Sequence, residues 1–209
     1  MTEPSKTMLH VGCGPKRLHN LTPGFNDGTW REVRLDIDER HKPDVLGTIT
    51  DMSSVADNSM DALYSSHNIE HVFPHEVVIV LREFRRVLKP SGFAVITCPD
   101  IQCLGEALAA GRLMEPLYGS GMGPISPIDI LYGHRASIEK GQHYMAHKTA
   151  FTAQSLNDEL RQAGFAAIGI SKRWQGATNL WVVATKEPQP VEALRDMMGS
   201  FFVAKGPRD

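Results

Sequence analysis

Residues 74–98 read PHEVVIVLREFRRVLKPSGFAVITC, and this segment predicts the centre of an α/β sheet. Apolar residues recur at helical spacing over residues 74–88, with arginines falling mostly between them, so the pattern predicts an amphipathic helix. Pro74 suits the first turn of that helix, and the KPSG sequence at 89–92 is typical of a stop followed by a turn. The run at 93–98 is apolar on both faces, which is typical of a central strand in a parallel sheet.

Working outward, short apolar runs bounded by turn residues predict six further strands, at 7–11, 31–36, 44–49, 61–65, 165–171 and 180–185. Their order predicts an α/β, Rossmann-like fold with a seven-stranded, mostly parallel sheet, flanking helices and an antiparallel last strand. Amphipathic helices are predicted at 153–163 and 191–203. The irregular stretch 99–152 is predicted as a substrate-site insertion between strands five and six of a single domain covering 1–209.

Composition narrows the functional classes. The 209 residues carry 22 basic and 24 acidic side chains, for a net charge of −2, which disfavours tight binding to folded nucleic acid. The sequence contains no apolar run long enough to span a bilayer and no signal-peptide core at its N-terminus, so no membrane association and a cytoplasmic location are expected. Three cysteines (Cys13, Cys98 and Cys103) indicate reduced thiols rather than a disulfide framework.

A glycine turn follows the first predicted strand. Gly12 and Gly14 can adopt positive φ angles and leave room for a ligand against the backbone, and the helix expected after them would direct free N–H groups toward an anion. Asp36, at the end of the next strand, can accept hydrogen bonds from ribose hydroxyls. Arg17 occupies the third position of a dinucleotide glycine motif, which weakens a nicotinamide or flavin interpretation. A simple strand-to-helix turn is the alternative.

Several segments together resemble the class I S-adenosylmethionine-dependent methyltransferases of the small methyltransferase-domain group. The resemblance covers about the first 100 residues, with later matches at AGF (163–165) and LWVVATK (180–186). The segment 132–152 is similar to that of a poorly characterised subgroup. The motifs that carry the resemblance are LHVGCG (9–14), LDID (35–38), TDM (50–52), SSHNIEHV (65–72) and LREFRRVLKPSGFAVITCPD (81–100).

The resemblance implies S-adenosyl-L-methionine as the cofactor and S-adenosyl-L-homocysteine as its product, and it implies a role for each matching residue. Gly12 and Gly14 would pass beneath the methionine part, and Asp36 would bind the ribose hydroxyls. The remaining matching positions would contact the adenine or line the cleft near the sulfonium: Ile37 on the adenine face, Asp51 at the adenine amino group, Met52 beside the ring, and Ser66 and His67 near the sulfur.

Nine histidines are present, and two groups of three stand out. His67, His71 and His75 are spaced by four, so on one continuous helix they would share a face and could bind a metal. Pro74 interrupts such a helix. In the family that the sequence resembles, the Glu70-His71 pair has a structural role. His134, His143 and His147 lie in the predicted insertion. For this second group, an acceptor pocket, a metal site and simple hydrogen bonding to the backbone remain open. No metal is assigned.

The sequence therefore predicts methyl transfer to an oxygen or nitrogen atom of a small or extended acceptor, with a homodimer possible. His134 and His143, then Tyr132, are the predicted catalytic bases, needed only if the acceptor must lose a proton. Two alternatives remain: a non-catalytic module that binds S-adenosylmethionine, and a metal-dependent enzyme that uses the histidine-rich loop.

Overall fold

One seven-stranded sheet organises the chain. The computed structural model describes residues 5–174 and 178–202, and the strand order of the sheet is β3-β2-β1-β4-β5-β9-β8. The first five of these strands are parallel, and β9 is antiparallel to both β5 and β8. The strands are β1 (Lys6–Val11), β2 (Trp30–Asp36), β3 (Val45–Leu46), β4 (Met60–Ser66), β5 (Leu88–Pro99), β8 (Ala167–Trp174) and β9 (Thr178–Thr185). The predicted mostly parallel sheet with an antiparallel last strand is confirmed.

Residues 74–98 fold as a helix followed by the central strand. A 3₁₀ turn at Pro74–Glu76 leads into α1 (Val77–Val87). The predicted turn at 89–92 is wrong, because these residues belong to β5. They are accommodated by an irregularity in register: Met60 pairs with Leu88, whereas Ala62 pairs with Phe93. The extra residues therefore form a bulge instead of separating helix from strand.

The α-helices differ from the sequence prediction mainly near the N-terminus. The other five are α2 (Gly105–Ala109), α3 (Pro127–Tyr132), α4 (Arg135–Glu139), α5 (Ala153–Gln162) and α6 (Val191–Phe201). The helix expected after the glycine turn is absent. Residues 12–29, all of them described, contain only short 3₁₀ turns at Leu18–Asn20 and Pro23–Phe25.

Two hydrophobic cores cover the two faces of the sheet. The larger core contains the buried faces of α1 and α5, including Phe84 and Leu160. The second core packs α6 against the turn at Pro23–Phe25, and Phe201 lies 4.7 Å from Phe25 between ring centroids. Helix α6 therefore covers the face that lacks a helix after β1.

The predicted insertion has a small core of its own, formed by Leu104 and Ile130 with neighbouring apolar side chains. A two-stranded antiparallel ribbon, β6 (Tyr118–Ser120) and β7 (Gly123–Ile125), lies within it. Thr152 caps α5, because its Oγ1 accepts a hydrogen bond from the Ser155 amide at 3.2 Å. The treatment of 1–209 as one domain with an insertion at 99–152 stays a prediction.

No helix within residues 5–174 and 178–202 combines the length and the apolar character that crossing a membrane requires.

Replacing Phe201 by alanine is expected to lower the free energy of unfolding by about 3–5 kcal/mol, because it empties an aromatic site between two packed layers. The control is Val191→Ala in the same helix, where the side chain is 60% exposed and the expected change is within about 0.5 kcal/mol. Urea unfolding followed by circular dichroism measures both. Equal losses for the two variants would show that α6 does not seal this face.

Candidate functional site

A cleft of about 740 Å³ opens beside the carboxyl ends of the parallel strands. The ends of β1, β2 and β4 meet there because the parallel register places Val11 beside both Leu35 and Ser65. This is the position at which open α/β sheets bind ligands. Residues from both the first half and the insertion line the cleft: Gly12, Gly14, Pro15, Leu35, Asp36, Ile37, Arg40, His41, Gly47, Thr48, Ile49, Thr50, His67, Asn68, His71, Val72, Glu76, Met122, Gln142, Tyr144, Met145 and Lys148.

The glycine turn is held against the end of β2. Gly12 and Gly14 have φ angles of 60° and 51°, which side chains other than glycine adopt at a cost. The Gly14 amide donates a hydrogen bond to Asp36 Oδ2 at 2.7 Å, and the Asp38 amide donates to Asp36 Oδ1 at 2.9 Å. The carboxylate of Asp36 is thereby fixed at the cleft wall, where each oxygen keeps a further acceptor position.

Arg34 braces the same turn from behind. Its side chain is almost fully buried, and its guanidinium donates hydrogen bonds to the backbone carbonyls of Gly14, His41 and Lys42. One cation therefore ties the turn after β1 to the loop after β2. The planar guanidinium suits this task because it presents donors in several fixed directions.

Cys13 lies within this turn and is buried. Burial raises the pKa of its thiol to about 12, with Arg34 opposing and Asp36 adding to the rise. The group therefore remains a neutral thiol at physiological pH. It fills space in the turn and is not a thiolate nucleophile.

The segment after β4 forms the floor of the cleft. His67 has a φ angle of 51°, a strained value for a residue other than glycine, and its amide donates to the Thr97 carbonyl at 2.9 Å. A methyl group added to Gly12 would meet the Asn68 side chain at 2.6 Å, so the glycine is required for this close approach. The side-chain nitrogen of Asn68, Nδ2, is buried and has no hydrogen-bond partner among the described residues.

Glu70 is 1% exposed and lies among three imidazoles. His67 Nδ1 is 3.3 Å from Glu70 Oε1. Burial by itself raises the pKa of Glu70, but His67, His71 and His147 outweigh burial and hold that pKa below its usual value. Burial lowers the pKa of His147, with Glu70 opposing.

The insertion provides the opposite wall of the cleft. The Tyr144 hydroxyl donates to Asp38 Oδ2 at 3.2 Å, so the segment 142–148 is tied to the loop after β2. Lys148 lies over the Phe73 ring, with its ammonium nitrogen 4.6 Å from the ring centroid. Two loops that are far apart in the sequence therefore enclose one space.

The structure brings some of the predicted cofactor residues to the cleft and not others. Gly12, Gly14, Asp36, Ile37 and His67 all line it, and Ile37 is 54% exposed, as a side chain that packs on a ligand can be.

Three predicted residues lie outside the cleft lining. Asp51 is on the surface and accepts a hydrogen bond from the Ser53 amide at 3.0 Å. Met52 is fully buried in the larger core, and its amide is bound by Glu83 of α1. Ser66 accepts a hydrogen bond from Thr97 behind the floor.

The three predicted catalytic residues are also absent from the cleft lining. Tyr132 is 64% exposed, His143 is exposed, and His134 Nδ1 is 2.8 Å from the Ser137 hydroxyl. The insertion residues that do line the cleft are Met122, Gln142, Tyr144, Met145 and Lys148. The predicted catalytic residues belong to the same segment as these lining residues, but periodicity gave no sign of which of its side chains face inward.

The comparisons with known proteins agree with this geometry. Residues 9–96 match a family model described as a methyltransferase domain. No curated protein gives a significant match.

Three solved structures illustrate the similarity in fold. The PH0226 protein of Pyrococcus horikoshii OT3 is 17% identical, with a TM-score of 0.59 over 87% of this chain and 82% of that one. A Burkholderia thailandensis 1,6-didemethyltoxoflavin-N1-methyltransferase, solved with 1,6-didemethyltoxoflavin and S-adenosylhomocysteine, is 16% identical, with a TM-score of 0.56 over 88% and 72%. A SAM-dependent methyltransferase from Archaeoglobus fulgidus is 15% identical, with a TM-score of 0.57 over 87% and 86%.

The sheet order, the glycine turn and the carboxylate after β2 define an α/β domain built to bind a nucleoside cofactor at its carboxyl edge. Residues 9–96 match the methyltransferase-domain family, and the chain shares its fold with solved S-adenosylmethionine-dependent methyltransferases.

Replacing Arg34 by methionine is expected to destabilise the protein by about 2–4 kcal/mol, because three backbone carbonyls lose a buried donor. Arg31→Met is the control, since Arg31 is an exposed residue of the same strand and its loss is expected to cost about 0.5 kcal/mol or less. Thermal and urea unfolding measure the difference. A neutral Arg34→Met variant would contradict the bracing role.

Proposed function

We propose that this chain is a class I S-adenosylmethionine-dependent methyltransferase with S-adenosyl-L-methionine as its cofactor. It transfers the cofactor's methyl group to an oxygen or nitrogen atom of a small or extended acceptor, which is held beneath the segment 142–148. The observation that carries the proposal is the two-sided cleft. One wall has the glycine turn and Asp36, and the other has Tyr144 and Lys148 of the insertion. Its volume lies within the range of sites for small ligands.

The cofactor side of the cleft fits an adenosyl group by three independent features. A methyl group added to Gly14 would meet no protein atom within 4 Å, so the space above the turn is open. The Asp36 carboxylate is anchored and can accept from two hydroxyls. The orphan amide nitrogen of Asn68 can donate to a ligand. In this proposal Gly12, Gly14, Asp36, Ile37 and His67 hold the cofactor.

Asp51 and Met52 would enter the adenine pocket only if the segment 50–53 turned away from α1. Met52 is bound through its backbone to Glu83 and Arg86, which makes such a movement costly. Thr50, which does line the cleft, is better placed for the adenine edge.

The cofactor supplies an activated methyl group on a sulfonium. Bound in the cleft, it would give up this methyl group to a lone pair on the acceptor oxygen or nitrogen, and the electron pair of the broken carbon–sulfur bond would remain on sulfur. An acceptor proton, where one is lost, passes to water or to a nearby base. In this proposal the protein aligns donor and acceptor and excludes water, and the walls at His67 and at 142–148 support that role because both line the cleft.

A small or extended acceptor is favoured over folded nucleic acid. The net charge is −2. Among the described residues, acidic Glu76 lines the cleft together with basic Arg40 and Lys148, and Arg40 is paired with Asp38, so the lining carries mixed charge and is not uniformly basic. The hydrogen bond between Tyr144 and Asp38 joins the two walls of the cleft and so narrows its entrance for a bulky acceptor.

The variant Asp36→Ala is expected to weaken S-adenosylhomocysteine binding at least about 100-fold, because it removes both the ribose acceptor and the partner of the Gly14 amide. Isothermal titration measures the affinity. Transfer is followed with a radiolabelled methyl group and a small-molecule extract separated by size from macromolecules.

Asp158→Ala, at an exposed carboxylate on α5, is the matched control and should bind like the wild type. Failure of the folded wild-type protein to bind the cofactor would refute the proposal. Labelling confined to nucleic acid would refute the acceptor class, and binding without transfer to any fraction would favour a non-catalytic module.

Two tyrosines of the insertion provide a matched pair. Tyr144→Ala removes a side chain from the cleft wall and is expected to lower the rate of methyl transfer at least about tenfold. Tyr132→Ala changes an exposed ring outside the lining and should leave the rate within about twofold. The reverse order would restore Tyr132 as a catalytic group and displace Tyr144.

A further inference from the structure

Three potential metal ligands converge at the floor of the cleft, although they lie far apart in the sequence. One ligand atom each from Glu70, His71 and His147 lies within 4.8 Å of the other two. The His71 and His147 rings are 4.9 Å apart between centroids. His71 comes from the turn after β4, whereas His147 comes from the insertion.

The backbone fixes which nitrogen of each ring is free. His71 Nδ1 is 3.1 Å from the Ala146 carbonyl oxygen, and His147 Nδ1 is 2.8 Å from the Ile130 carbonyl oxygen. A carbonyl oxygen only accepts, so each Nδ1 carries the hydrogen and donates it. In the neutral rings both Nε2 atoms therefore carry unprotonated lone pairs. Metal-binding histidines are oriented by the same kind of hydrogen bond.

The burial of Glu70 is a second, independent observation that points to a bound cation. It is 1% exposed, and neither carboxylate oxygen has an aligned hydrogen-bond partner among the described residues. His67 Nδ1 lies 3.3 Å from Oε1 and is an ion-pair partner of Glu70 when the ring is protonated. Burying a carboxylate in this way is costly unless a cation compensates its charge.

We propose that His71 Nε2, His147 Nε2 and a carboxylate oxygen of Glu70 bind one first-row transition-metal dication, such as Zn²⁺ or Fe²⁺. Two imidazoles with one carboxylate suit these ions better than Mg²⁺ or Ca²⁺, which prefer oxygen ligands alone. Bonds of about 2.0–2.2 Å in a tetrahedral site place ligand atoms roughly 3.3–3.6 Å apart. Ligand atoms that now lie within 4.8 Å of one another would therefore approach by about 1.5 Å at most on binding.

Three protein ligands leave coordination positions open, as in catalytic metal sites. His71 also lines the cleft, and in this proposal the open positions face an acceptor oxygen there. An oxygen bound to the ion loses its proton more readily and becomes a better nucleophile toward the methyl group. This catalytic use rests on the proposed function, whereas binding of the metal does not.

The test measures metal binding directly. Protein stripped with chelator and exchanged into a non-coordinating buffer is titrated with Zn²⁺ by calorimetry, and with Co²⁺ by its visible absorption. The wild type should bind one ion. Glu70→Gln, His71→Ala and His147→Ala should each weaken binding at least about 100-fold. His75→Ala, at an exposed histidine near the cluster in sequence, is the control and should bind like the wild type.

Thermal unfolding of each apo variant establishes that it is folded, and the nearly isosteric Glu70→Gln retains the shape of the buried side chain. The proposal is overturned if the wild type binds no stoichiometric ion, or if the His75 variant loses binding as much as the three ligand variants do. S-adenosylhomocysteine binding is measured on the same samples. Zinc binding without cofactor binding would refute only the proposed function, and the converse would refute only the metal site.

Discussion

The hydrogen bonds from the buried Arg34 guanidinium to three backbone carbonyls hold the two loops of the site together. Parallel strands bring the ends of β1 and β2 to one edge, but two chain ends that meet at an edge do not by themselves make a rigid wall. Arg34 joins the turn after β1 to the loop after β2 through three carbonyls, while Asp36 binds the Gly14 amide from the other side. The glycine backbone can therefore stay in its left-handed conformation with the cleft open above it.

Much of the fold could be predicted from the sequence, because the buried face of a helix or strand requires apolar residues at regular spacing. The two-sided apolar run of β5 and the helical spacing of α1 predicted the centre of the sheet correctly. The KPSG segment was misread because a bulge and a turn use the same residues, and only pairing with β4 distinguishes them. The absence of a helix directly after β1 was not predicted. In the structure α6 covers that face of the sheet instead, and the sequence of α6 does not indicate which face it packs against.

The sequence indicated which residues form the cleft wall built from local motifs. It indicated little about the opposite wall, which the segment 142–148 provides. Gly12, Gly14 and Asp36 could be named because their spacing reflects one strand-turn-strand unit. The insertion has little periodicity, so nothing in its sequence shows that Tyr144 lies inside the cleft and Tyr132 outside. The histidines show the same limit: grouping them by spacing separated His71 from His147, whereas the fold places the two rings side by side.

The docking of α6 has a consequence for the order in which the molecule assembles. The aromatic core on one face of the sheet joins Phe25, in the turn at Pro23–Phe25, to Phe201 in α6. During synthesis the strands that carry the cofactor side emerge early, yet their exposed apolar face has no cover until α6 leaves the ribosome. Sealing of this layer is thus a late, long-range step, and a nascent chain stalled before residue 191 presents that surface to chaperones.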